Sequence, residues 1–181
     1  MRREIMFAGF GGQGIVKAAL LTAQAAGLFQ GKKIAQSQSY GPEARGGACK
    51  SEVVISDREI AYIKTRSLDA LVVMSQPALD QYAPRIQPGR TRVIHDNTLV
   101  HDLPSGLIDP VGVSATALAE EELGRSLFAN IIMLGALAGA TDMVSLDALS
   151  RALDGNVPPA TLETNRRALE LGFRATGAEA H

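Results

Sequence analysis

The feature that most constrains this chain is GFGGQG at Gly9–Gly14, which follows the short apolar stretch Glu4–Ala8 and opens a long helical pattern. Gly9, Gly11 and Gly14 fall in the G-x-G-x-x-G register, in which a strand hands over to a helix through a tight turn. A chain that begins strand, glycine turn, helix is committed to an α/β layer fold. The helix predicted from Gly12 to Phe29 places Ile15, Val16, Ala19, Leu20, Ala23 and Ala26 on one face, with Lys17 and Gln24 opposite. Lys33–Ser39 then reads as a second strand, completing a unit that builds parallel sheets.

The rest of the chain continues the pattern. Ser39–Gly47 (SYGPEARGG) is a loop, ACKSEVVISD alternates like a strand, and REIAYIKT is expected to be its hairpin partner. Leu68–Ser75 reads as a buried strand, Gln76-Pro77 starts a helix, and Gln87–Asp96 gives a turn and a further strand. From Ser114 helices take over: one ending at Gly124, the apolar SLFANIIMLGALAGA, one capped by Ser145, and a last one over Thr161–Phe173. The expected architecture is a single Rossmann-like α/β domain over residues 1–181, with a largely parallel sheet, a helical C-terminal portion and a loose tail from about residue 175.

Composition removes several functions. A formal net charge of -1 with no run of like charge argues against a nucleic-acid binder, and 4% aromatic residues with no Trp leave no stacking platform. The longest apolar stretch, Ile131–Ala140, falls short of the about 20 residues that cross a bilayer. The basic start and broken apolar run lack a signal-peptide cleavage site, so a soluble, cytoplasmic protein is expected. Cys49 is the only cysteine, too few for a disulfide or an iron–sulfur cluster, and its strand setting favours an inert thiol.

A dinucleotide site needs more than the turn. The helix N-terminus can receive phosphates, but an acid at the end of the second strand must hold the ribose. That strand ends in Gln36, Ser37 and Gln38, and the first acid after Glu4 is Glu43, out in the loop. GLFQGKK has the wrong spacing for a P-loop. The glycines therefore read first as packing residues, with Gly11, Gly12, Gln13 and Gly14 kept as candidate ligand contacts.

The loop SYGPEARGG is the other unusual segment. Tyr40 and Glu43 sit in a tight turn, Gly46 and Gly47 can expose backbone N–H groups, and Arg45 is a candidate anion or partner contact. Taken together, GFGGQGIVKAALLTAQAAG, SQSYGPEARGGACKSEVVISD and NIIMLGALAG resemble the gamma subunit of 2-oxoacid:ferredoxin oxidoreductases, in similar spacing over about Met1 to Leu153.

The resemblance implies a subunit of an enzyme that oxidatively decarboxylates a 2-oxoacid with coenzyme A to an acyl-CoA. Thiamine diphosphate, Mg2+ and 4Fe–4S clusters then belong to alpha, beta and delta-type partner chains. Ferredoxin accepts the electrons, or NAD does through an added subunit carrying FAD. This chain fits such a division: it has one Cys, and LDGN at Leu153–Asn156 lacks the first glycine of a G-D-G diphosphate motif. The implied contribution is assembly, with no catalytic residue and no cofactor bound by this chain alone. Gly11–Gly14 and Arg45 would then lie near the coenzyme A phosphates, and Tyr40, Glu43, Gly46 and Gly47 would face partner chains.

Three further patterns stand out in the chain. HDNTLVHD at His95–Asp102 fits no zinc spacing and reads as a strand end with a turn. Glu120, Glu121 and Glu122 are consecutive and read as a solvated face. Gly135 and Gly139, on an almost wholly apolar helix, allow a neighbouring helix to approach closely, within the core or across a subunit interface, and the interface is preferred. Two competing readings remain: a stand-alone NAD- or FAD-binding dehydrogenase or sensor, and the related indolepyruvate oxidoreductase beta chain, which SYGPEARGG fits less well.

Overall fold

Strand β1 (Arg2–Phe10) is the axis of the molecule, buried without interruption from Glu4 to Gly9. The computed structural model describes residues 1–39 and 48–178. Around β1 stand β2 (Lys33–Ser39), β3 (Ala48–Ser56), β4 (Ala70–Val73), β5 (Arg92–Asp96) and β6 (Val111–Val113), in the order β2-β3-β1-β4-β5-β6. β4, β5 and β6 run parallel to β1, whereas β3 is antiparallel to both β1 and β2. The sheet is thus α/β and mostly parallel, with β3 alone reversed.

Strand alternation divides the core into two layers. Ile5, Phe7, Val53, Ile55, Val72 and Ile94 face one side with α1 (Ile15–Gln24), α3 (Ala115–Leu123), α4 (Ala129–Ala140), α5 (Leu146–Leu153) and α6 (Leu162–Ala175). Met6, Ala8, Leu71, Val73 and Val93 face the other, against Ala78 and Leu79 of α2 (Gln76–Tyr82). The helix boundaries at Ser145 and Gly124 follow the predicted chemistry, and Ser75 supplies a further cap. Ser145 Oγ accepts from the Ala148 N–H at 3.2 Å, Ser75 Oγ accepts from Ala78 at 3.4 Å, and Gly124 closes α3 at φ 76°.

Three local expectations are corrected. REIAYIKT is not a hairpin strand, because β3 already pairs with β1 along all nine of its residues and with β2 along seven. With both edges taken, the segment becomes a strap: Arg2 donates to the carbonyls of Tyr62 and Lys64, and the Glu4 carboxylate accepts from the Ser67 N–H at 2.8 Å. Strand β2 runs parallel to β1 but is not its neighbour, since β3 lies between them. Helix α1 runs into a π-helical turn at Ala25–Phe29, and Ala18, Leu21, Thr22 and Ala25 are buried while Val16 and Leu20 are only half-buried. Lys17 and Gln24 do not face open solvent. Both meet Asn156 beyond α5: the Lys17 ammonium donates to its carbonyl, and its side-chain amide donates to Gln24 Oε1.

Candidate functional site

In an open α/β sheet, ligands bind at the carboxyl ends of the strands where the chain switches faces. Here that point lies between β1 and β4, because α1 leaves β1 for one face and α2 leaves β4 for the other. The crevice is bridged by Gln13. Its Oε1 accepts from the Phe10 N–H at 2.6 Å, its Nε2 donates to the Met74 carbonyl at 2.8 Å, and its own N–H donates to the Phe10 carbonyl at 3.2 Å. One carboxamide thus ties the ends of the two central strands together, where a dinucleotide would have to pass.

The glycines of the turn divide by what a Cβ would meet. At Gly9 it would lie 2.5 Å from Gln13 Oε1 and 2.7 Å from Ile15 Cδ1. At Gly14, with φ 76°, it would lie 2.2 Å from Asn130 Nδ2, an amide that donates to the Gly14 carbonyl. Gly11 and Gly12 are exposed, and a Cβ there meets nothing within 4 Å among the described residues. Two glycines pack, and two present open backbone at the mouth of the crevice.

The missing ribose acid has a structural counterpart. Because β3 intervenes, the end of β2 lies two strand spacings from β1, roughly 10 Å. Its polar residues are used across the ladder: Gln36 donates to Ser51 Oγ at 3.3 Å, and Ser51 Oγ donates to the Ser37 carbonyl at 3.1 Å. The N-terminus of α1 has no acid in its first turn and no side-chain cap.

Tyr40, Glu43, Arg45, Gly46 and Gly47 lie outside the described residues. Ala48, the first described residue after them and the start of β3, pairs with Phe10 at the end of β1. Gly135 and Gly139 find their close neighbour within the chain rather than on another: a Cβ on Gly135 would lie 1.9 Å from the Leu169 carbonyl oxygen, and one on Gly139 would lie 2.9 Å from that of Phe173. Gly172 of α6 returns the relation: a Cβ on it would lie 1.7 Å from the Ile132 carbonyl oxygen.

The Asp96 carboxylate and the backbone of His101 and Asp102 have structural partners. Asp96 is fully buried and its carboxylate accepts from the Thr98 and Thr116 N–H groups, each at 3.1 Å, so it caps the start of α3. The backbone N–H groups of His101 and Asp102 donate to Gln76 Oε1. Burial pushes the Cys49 thiol pKa up and the His95 imidazole pKa down. Among the described residues, no group of three or more His, Cys, Asp and Glu side chains is disposed to hold a metal ion, and no helix is long and apolar enough to cross a membrane.

Two cavities open at the carboxyl edge. One, of about 280 Å³, is lined by Gly12, Gln13, Met74, Leu99, Thr116 and Leu127 among others; the second, of about 420 Å³, runs past Gly14, Lys17, Arg125 and Asn130. A larger one, of about 640 Å³, lies against Thr141, Asp142, Ser145 and Arg166 and shares no residue with the turn. Asn130 was legible as the one polar residue of the α4 sequence ANIIMLGALAGA. Arg125 and Leu127 were hidden, because SLF reads as the start of an apolar helix and instead forms a 3-10 turn that leaves Leu127 exposed.

The comparisons agree with this geometry. The model of the family "Pyruvate ferredoxin/flavodoxin oxidoreductase" matches residues 4–175. The 2-oxoglutarate synthase subunit KorC of Methanothermobacter marburgensis is 43% identical over 177 residues, which cover 95% of each chain. The subunit of the same name from Methanocaldococcus jannaschii is 42% identical over 174 residues, covering 96% of this chain and 93% of that one. Among solved structures, the gamma subunit of keto/oxoacid ferredoxin oxidoreductase from Geobacter sulfurreducens superposes with a TM-score of 0.89 at 40% identity over 99% of both chains. The chain therefore belongs to the pyruvate ferredoxin/flavodoxin oxidoreductase family, as a gamma-type component of a multi-subunit oxidoreductase and not a complete enzyme.

Proposed function

We propose that residues 1–181 form one gamma-type domain that assembles with alpha, beta and delta-type chains into a cytoplasmic, coenzyme A-acylating 2-oxoacid:ferredoxin oxidoreductase. The observation that carries this reading is the Gln13 bridge. It ties the ends of β1 and β4 across the switch point, which favours the glycine turn as a fold element and a surface over a dinucleotide pocket. The substrate reading is 2-oxoglutarate, supported by the 40–43% identity to KorC subunits against 32–35% to relatives named for ketoisovalerate, phenylglyoxylate or pyruvate.

Thiamine diphosphate, Mg2+ and the iron–sulfur clusters reside on the partner chains in this reading. The single buried Cys49, its thiol pKa raised by burial, has neither the number nor the exposure a cluster needs. Gly11 and Gly12 leave open backbone at the turn, close to where Ala48 pairs with Phe10, and Arg45 is the cation proposed to meet coenzyme A phosphates.

The test is the intact complex with Arg45→Ala. The expected result is normal assembly with a raised KM for coenzyme A and an unchanged KM for 2-oxoglutarate. An unchanged KM for coenzyme A in the intact complex contradicts the placement. Binding of NAD or FAD by the isolated chain in equilibrium dialysis contradicts the subunit reading as a whole and favours the stand-alone dehydrogenase.

A further inference from the structure

The two cavities at the carboxyl edge are separated by a single ridge, the 3-10 turn Ser126–Phe128 with Arg125 before it. Leu127 lines both cavities and is 63% exposed, and Leu99, 37% exposed, stands on the rim of the smaller one. An open leucine flanked by two cavities is a surface that association with another chain would cover.

The two cavities differ in chemistry. Among the described residues, no charged side chain lines the smaller, whose walls are Gly12, Gln13, Met74, Leu99, Thr116 and the ridge. The larger carries, among the described residues, two cations, Lys17 and Arg125, and no acid, over an apolar floor that includes Phe128, Ile131 and Val157. Arg125 has no ion-pair partner among the described residues. The acids of α3 do not cancel it: the Glu122 carboxylate is held by Arg167 at 2.7 Å, and Glu120 and Glu121 line neither cavity. Gly11 and Gly12 leave room for another main chain to lie along the turn.

Resting on the subunit reading above, we propose that this ridge docks an extended segment of a partner subunit that carries a large aliphatic or aromatic side chain beside a carboxylate. The apolar side chain enters the uncharged cavity between Leu99 and Leu127. The carboxylate lies in the cationic cavity against Arg125 and Lys17. The sign of the charge selects an acidic segment, and the uncharged cavity fixes its register.

The experiment co-expresses the tagged chain with the other chains of its oxidoreductase and compares wild type with Leu127→Asp, Arg125→Glu and the control Leu28→Asp. Leu28 is 72% exposed on the π-helical turn and lines neither cavity. Leu127→Asp and Arg125→Glu should each lower recovered complex at least tenfold while the isolated chain melts as the wild type does, and Leu28→Asp should assemble normally. Full assembly with both ridge variants overturns the proposal and leaves the subunit reading intact. Full assembly with a raised KM for coenzyme A also overturns it, and makes the groove a ligand site. A self-associated wild-type chain that Leu127→Asp dissociates makes the occupant a second copy. A wild-type chain that captures no partner fails both readings.

Discussion

Two regions of this chain are built on glycine, and they use it for opposite ends. In the α4–α6 contact, a Cβ on Gly135 or Gly172 would fall within 2 Å of a backbone carbonyl oxygen, so two helices meet main chain to main chain. In the turn at the end of β1, the atoms in the way at Gly9 and Gly14 are side chains, and at Gly11 and Gly12 nothing among the described residues is in the way. The helix pair needs glycine for packing throughout. The turn needs it partly for packing and partly for a surface. G-x-G-x-x-G and G-x-x-x-G spacings do not separate these cases; the destination of the missing Cβ does.

That difference can be broken experimentally, most sharply at the helix pair. Gly172→Ala should cost about 3 kcal/mol or more in urea unfolding, since backbone cannot step aside as a side chain can; near-wild-type stability would refute the close crossing. Gly14→Ala should cost less, about 1–2 kcal/mol, from its positive φ and its contact with Asn130. Combining it with Asn130→Ala should cost less than the sum of the single changes, because the clash disappears while the backbone strain remains. Gln13→Ala removes two hydrogen bonds between the ends of β1 and β4 and should cost about 1–2 kcal/mol without creating NAD affinity.

Smaller effects sharpen the same contrast. Burial holds the His95 pKa below its ordinary 6.5, against the opposing pull of Asp96 and the Val100 carbonyl. The native chain therefore resists a proton that the unfolded chain accepts. The stability from this source is complete above about pH 6.5 and is lost as pH falls below it, and His95→Gln should flatten that slope. Gly11→Ala should leave stability within about 0.5 kcal/mol of wild type, because its Cβ meets nothing.

The strand–turn–helix opening was legible because an apolar run, a glycine cluster and a helical period are local signals, and the caps at Ser75, Ser145 and Gly124 are local too. The position of β3 was not. Alternation in ACKSEVVIS says strand but not which neighbours it takes, and its insertion between β1 and β2 is a long-range choice. Val111–Val113 is too short for any period to declare itself. At the site, the sequence pointed to Gln13 and to the absent acid, but the bridge from Phe10 to Met74 spans 61 residues between Gln13 and Met74, and no spacing rule reaches that far. Leu127 escaped because an apolar residue beside an apolar helix looks like core until the turn that exposes it is seen.

Under the proposed function, this chain works as part of a larger oxidoreductase and holds no nucleotide of its own. The most direct measurement is the native mass of whatever the tagged chain brings from its source cell, read together with 2-oxoglutarate- and coenzyme A-dependent dye reduction by that fraction. A hetero-oligomer with larger chains, bound thiamine diphosphate and activity dependent on both substrates is the predicted result. A self-contained protein that retains NAD or FAD and reduces no dye with 2-oxoglutarate or any other 2-oxoacid would contradict it.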